Sequence, residues 1–202
     1  MRRLLASPRA GGALGIVFVV LLFASAAMAS LPTSADPADA IAAFYRGHSS
    51  LVILQQAIGV VALVPLVVFG LALRANRWSR PALLLLVVIE LVTNVVPLVI
   101  VASPESSRAL TSVEDGADSA LFFASALFVI AATLDDPPWV RLAAYIVAAA
   151  CAIRAAASPF GINFLDQVAP IAFIAAIVLL SVRLLIHQPD KLREQSAGPV
   201  AR

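Results

Sequence analysis

Between Arg80 and Glu105 the chain runs for twenty-four residues with a single charge, Glu90, set among Leu, Val and Ile. About 20 apolar residues suffice to cross the hydrocarbon core of a bilayer, so this run predicts a transmembrane helix. Polar and proline-bearing breaks separate it from five comparable runs. Together they predict spans at about 11–30, 51–73, 81–102, 119–134, 139–157 and 167–186. Two of these are short. The fourth has sixteen uncharged residues between Asp118 and Asp135, and the fifth only twelve between Arg141 and Arg154. At least one of those arginines must therefore sit within its helix and snorkel to an interface.

The connections carry their own signals. Asp36-Pro37-Ala38-Asp39 offers an N-cap, a proline at the first helical position and an acid in the first turn. Ile41, Phe44 and Tyr45 follow at helical spacing, which predicts a short amphipathic helix leading into the second span at Gly47. Ser103-Pro104-Glu105 opens a second such segment, with Leu110 and Val113 on its apolar side and Glu114, Asp115 and Asp118 making it acidic. Asp135-Asp136-Pro137-Pro138 breaks the chain into a tight hairpin. The expected fold is all-α: a polytopic transmembrane helical bundle of six spans with short amphipathic helices in its outer loops. It forms one domain over 1–187, followed by a polar cytoplasmic tail over 188–202.

Basic residues set the orientation. With the N-terminus inside, Arg2, Arg3, Arg9, Arg74, Arg77, Arg80, Arg141, Arg183, Lys191, Arg193 and Arg202 fall on the cytoplasmic side. Only Arg46, Arg108 and Arg154 lie outside, so the positive-inside bias predicts both termini in the cytoplasm. Trp78 and Trp139 both fall in cytoplasmic hairpins, at the depth of an aromatic belt. Arg2, Arg3 and Arg9, the apolar run and Ala27-Met28-Ala29 also resemble a cleavable signal. Uncharged residues continue from Ala10 to Leu31, long enough to span, which favours a retained anchor in the cell (inner) membrane.

Composition agrees with this solvent. The 202 residues are 61% hydrophobic and 13% charged, against about 45–50% and 25% for soluble domains. A net charge of +2 gives no argument for nucleic acid, and the partners expected are the lipid bilayer and a membrane protein. Cys151 is the one cysteine, which excludes an intramolecular disulfide, and its alanine-rich surroundings suggest a packing residue. His48 and His187 stand on opposite faces, and no phosphate loop, HExxH or GxSxG occurs. No metal, cofactor or catalytic residue is expected.

The candidate chemistry lies within the spans. A charged carboxylate at mid-membrane costs about 2.5–3.5 kcal/mol on insertion scales, which makes Glu90 the leading candidate for a ligand or proton site. Counting from the tryptophans, Glu90 stands about 18 Å along its helix and Arg154 about 22 Å along its own. The two are one turn apart in height, and a Glu90–Arg154 pair is predicted if the third and fifth spans are neighbours. Thr93 and Asn94 share the Glu90 face, and Gln55 and Gln56 enter the second span at a similar level. With Tyr45, Arg46, His48, Asn163, Asp166 and Gln167 they form a polar layer toward the outer face. The plainer alternative makes Glu90, Gln55 and Gln56 interhelical hydrogen bonders and Arg154 a snorkelling residue. Ala144, Ala148, Ala152 and Ala156 form a small-residue stripe, and Gly11 and Gly15 a GxxxG, both suited to close helix packing.

The outer helix Ala38–Tyr45, the second span and the turn Leu73-Arg74 to Asn76-Arg77 resemble the DUF4386-type bacterial multi-pass proteins. This resemblance covers residues 36–100 and implies a six-helix integral membrane protein without assigning a functional residue. Two roles are expected from the sequence: an accessory protein that docks a membrane partner, favoured slightly, or a protein that binds or moves a small molecule, lipid or proton through an outer-facing pocket containing Glu90.

Overall fold

A computed structural model describes residues 7–73, 76–160, 162 and 164–186. The polar tail 188–202, His187, Asn163, Arg74 and the first six residues lie outside the described residues. Seven α-helices account for the fold: α1 (Pro8–Ala26), α2 (Ala38–Gly47), α3 (Ser49–Ala72), α4 (Ser79–Ala102), α5 (Ser107–Thr133), α6 (Pro138–Ala157) and α7 (Val168–Ile186). All but α2 are long and apolar enough to cross a membrane, and there is no strand among the described residues.

The six long helices close a ring in chain order. Each packs against the next, and α7 returns to α1. Neighbours run antiparallel: Gly11 approaches Ala72 while the Ser25 hydroxyl donates to the Gln55 carbonyl, and Gly70 approaches Leu83 while Gly59 approaches Asn94. Pro8, Ile186 and both tight hairpins consequently share one face, here the hairpin face. The opposite, or cap, face carries α2.

Lipid offers no hydrophobic drive between helices, so small residues that admit close backbones decide the packing. A Cβ on Gly11 would overlap Ala72, and one on Gly12 or Gly15 would overlap Ser181, so α1 slots between α3 and α7 through these glycines. On α6 the buried stripe is Ala144, Ala148, Cys151 and Ala155. It follows the 3.6-residue period, so Cys151 is buried where the fixed four-residue spacing placed Ala152, and Ala156 is exposed. Cys151 is the packing residue expected, with its Sγ 3.9 Å from the Ala169 carbonyl.

Three boundaries differ from the sequence expectation. First, α1 stops at Ala26, short of residue 30, where the chain leaves the helix and Gln55 Nε2 donates to the Ala29 carbonyl at 3.2 Å. Second, α2 begins at Ala38 with Pro37 as its cap residue. The Asp36 carboxylate instead accepts from the Thr33 amide at 2.8 Å, closing a turn in the preceding loop. Third, Pro104–Ser106 forms a single 3-10 turn that runs straight into α5, so the acidic segment belongs to a helix of 27 residues.

Helix α2 closes the cap face. Ile41 and Tyr45 are buried with Val52 of α3 and Val96 and Ile100 of α4. At the hairpin face, the Asn76 carboxamide closes the turn into α4 by accepting from the Trp78 and Ser79 amides at 2.9 and 3.1 Å. Its Nδ2 donates to the Ala131 carbonyl at 2.6 Å, tying the hairpin to α5. Arg183 pairs with Asp136 at 2.8 Å and lies 5.9 Å over the Trp139 ring.

Candidate functional site

Glu90 occupies the middle of α4 and lines a cavity of about 260 Å³ inside the ring. The walls come from α1 (Phe18, Leu22, Phe23), α5 (Leu121, Phe122) and α7 (Phe173, Ile174), with Leu66 and Leu86 at the back. The lining is overwhelmingly apolar. Glu90, Asp118 and Ser125 supply its polar side chains.

The environment of Glu90 is built by its own helix. Asn94, one turn on, donates from Nδ2 to the Glu90 carbonyl at 2.7 Å and to Glu90 Oε1 at 3.4 Å. The other end of that amide lies against Gly59 of α3, where any Cβ would overlap Asn94 Oδ1. Glycine at 59 therefore gives Asn94 its room, and Asn94 in turn steadies the Glu90 side chain. The Thr93 hydroxyl donates to the Glu90 carbonyl at 2.8 Å, a bond within the helix that directs nothing toward the cavity.

Arg154 does not pair with Glu90. Its Nη2 lies 2.7 Å from Asp118 Oδ2, its Nε lies 3.3 Å from Asp166 Oδ1, and its guanidinium sits 3.9 Å over the Phe122 ring. The reason is the ring order. α5 stands between α4 and α6, so a carboxylate on α5 reaches the guanidinium first. Arg154 is also more than a snorkelling residue, since its side chain is only 12% exposed. It links α5, α6 and the segment before α7.

The remaining polar residues divide. Gln55 is buried and tied to the loop after α1 through Ala29. Gln56 is buried and, like Gln55, does not line the Glu90 cavity. His48 is exposed and stacks on Phe44, with ring centroids 4.8 Å apart. Among the described residues no group of three His, Cys, Asp or Glu has the geometry of a metal site. Of the six sequence candidates, Glu90 alone lines the cavity. Asn94 and Thr93 bond to Glu90, while Arg154 acts through Asp118.

Asp118 is the residue that sequence reasoning passed over. It falls at the start of the predicted fourth span and reads as loop acidity beside Glu114 and Asp115. Asp118, Phe122 and Ser125 nevertheless follow at i, i+4 and i+7, and that spacing marks one helical face. The other two acids are clasped from outside the ring. The Tyr45 hydroxyl donates to Glu114 Oε2 at 3.2 Å, and the Ser34 amide donates to Asp115 Oδ2 at 2.9 Å. Burial first, and then the neighbouring Glu114 carboxylate, push the Tyr45 phenol far above its usual range.

No protein-family model matches the chain, and no curated protein or solved structure matches it either. Fold and site together define an all-helical bundle with six membrane-length helices and a carboxylate-bearing cavity.

Proposed function

We propose that this is a multi-pass protein of the cell membrane, with both ends in the cytoplasm, that holds a small amphipathic molecule in the cavity lined by Glu90. The observation carrying the proposal is an apolar cavity of about 260 Å³ with a carboxylate in its wall. Ligand sites are concave, mostly apolar and equipped with a few polar groups that fix orientation, and they occur between the helices of bundles. An intramembrane ionisable residue facing such a space reads as functional by default.

The accessory role expected from the sequence has less support. It needs Glu90 as a tie between helices, whereas its one side-chain partner among the described residues is Asn94 on the same helix. The cytoplasmic placement of the hairpin face rests on the basic residues that cluster there, Arg9, Arg77, Arg80, Arg141 and Arg183.

Reaction with dicyclohexylcarbodiimide, an apolar reagent for carboxyl groups, tests the proposal on the protein in lipid nanodiscs. Peptide mass spectrometry is expected to find the adduct on Glu90 and to lose it in Glu90→Gln. Filling the cavity with Ser125→Leu or, independently, Ile174→Phe is expected to slow the reaction. An unlabelled Glu90 contradicts an accessible cavity site, and labelling indifferent to both filling variants in folded protein points instead to a lipid-facing carboxylate.

A further inference from the structure

The cavity has a side on which it is not walled. Most of its lining residues are buried or nearly so, but Phe23 is 53% exposed and Ile171 is 62% exposed. Ala26, one turn beyond Phe23, is exposed as well. These residues lie toward the cap-face ends of α1 and α7, the two helices that close the ring. At the hairpin-face ends the same helices are in contact through Gly12 and Gly15 against Ser181. The pair is thus pinned at one end by glycines, while at the other the cavity reaches exposed residues of both helices at its mouth. That mouth is flanked by apolar side chains on membrane-length helices, so it opens sideways, at lipid depth.

The charges around the cavity are unequal. Glu90 and Asp118 both contribute to its lining. The nearest cation, Arg154, is already engaged by Asp118 and Asp166 and capped by the Phe122 ring. Among the described residues no cation pairs with Glu90, whose only side-chain hydrogen bond is from the Asn94 amide at the long distance of 3.4 Å. A carboxylate in an apolar chamber is matched best by an opposite charge brought in by the ligand. The aromatic side chains of Phe18, Phe23 and Phe173 line the same chamber, and ring faces also favour cations.

We infer that the ligand class is a lipophilic cation, an amine or quaternary ammonium on an apolar body, which enters from the membrane between α1 and α7 and sets its charge against Glu90. The ammonium lies in the chamber between Glu90 and Asp118, and the apolar remainder passes Phe23 and Ile171 toward lipid. An anionic head of equal size meets the Glu90 carboxylate, which no cation offsets, and is disfavoured. This rests on the proposed cavity site and adds to it the sign of the ligand's charge and its route.

Protection of Glu90 from dicyclohexylcarbodiimide tests the inference, using nanodiscs of phosphatidylcholine and three probes of one chain length: dodecyltrimethylammonium, dodecyl sulfate and dodecanol. Dodecyltrimethylammonium is expected to slow labelling by about tenfold or more, the scale of one charge-assisted contact. The sulfate and the alcohol are expected to leave the rate nearly unchanged. Ile171→Trp and Phe23→Trp, at the mouth, are expected to slow labelling, and Leu84→Trp, at a lipid-exposed position on α4, is not. Equal protection by the alcohol or sulfate, or protection by none, overturns the cationic class. Mouth variants that label as fast as Leu84→Trp overturn the lateral route. Neither result touches the cavity site itself, which stands or falls on the filling variants in the absence of any probe.

Discussion

Arg154→Met removes a guanidinium while keeping an unbranched apolar stem, and its consequences can be worked from the geometry. The variant loses the 2.7 Å contact to Asp118, the 3.3 Å contact to Asp166 and the stacking on Phe122 at 3.9 Å. Breaking a buried ion pair from one side costs about 3–5 kcal/mol, chiefly because a charge is stranded. Here Asp166 lies in the segment before α7, outside the long helices, where water screens it, so the cost falls toward or below the low end of that range. The lost ring contact returns about 0.5–2 kcal/mol to the total. A destabilisation of about 2–3 kcal/mol follows. Asp118→Asn alone should cost less, since the arginine keeps Asp166. In the double variant no carboxylate is stranded at 118, so the two costs should fall short of additivity by about 1–2 kcal/mol. Unfolding in mixed micelles with increasing dodecyl sulfate, followed by far-UV circular dichroism, measures all three. An Arg154→Met within about 0.5 kcal/mol of the parent, or strict additivity, would refute the idea that Arg154 joins α5, α6 and the approach to α7.

Other expectations are simpler. Gly59→Ala should destabilise by about 1–3 kcal/mol, because its Cβ enters the space of Asn94 Oδ1, and Asn94→Ala in the same chain should recover part of the loss; equal stability of Gly59→Ala and parent in the same micellar titration contradicts the packing. Asn76→Ala should cost about 1–2 kcal/mol through its bonds to the Trp78 and Ser79 amides and the Ala131 carbonyl, read by the same method, and a neutral result would remove the hairpin from the fold's support. In a Tyr145→Phe background Tyr45 is the remaining tyrosine, and its phenolate absorbance should emerge only well above pH 10. The sign is that of an acid with a raised folded value. The stability linked to Tyr45 is present below the unfolded pKa and is lost as pH rises beyond it. Titration near the free-tyrosine range would place Tyr45 in water.

The spans were readable because the bilayer imposes one demand on all of them, a long apolar run with its backbone hydrogen bonds closed internally. Glu90 stood out as a candidate for the same reason, as an exception to that demand. What the sequence did not carry was adjacency. Glu90 and Arg154 match in height, yet height says nothing about which helix stands between them, and α5 does. Asp118 was obscured by its place at the edge of an apolar run, where acids usually mark a loop; only the continuation of α5 back to Ser107 puts it on a helical face with Phe122 and Ser125. The DUF4386-type resemblance implied the helix count and no more. The proposed mouth has no local signature at all, because its residues come from two helices at opposite ends of the chain that pack together through glycines.

Everything proposed for Glu90 depends on its facing the cavity within the ring of six helices. A crystal structure of the protein grown in a lipidic mesophase measures this most directly. The carboxylate is expected to turn into the chamber between α1, α5 and α7, with Arg154 held by Asp118. Glu90 turned outward to lipid, or bonded directly to Arg154 with α5 displaced from between them, would contradict it.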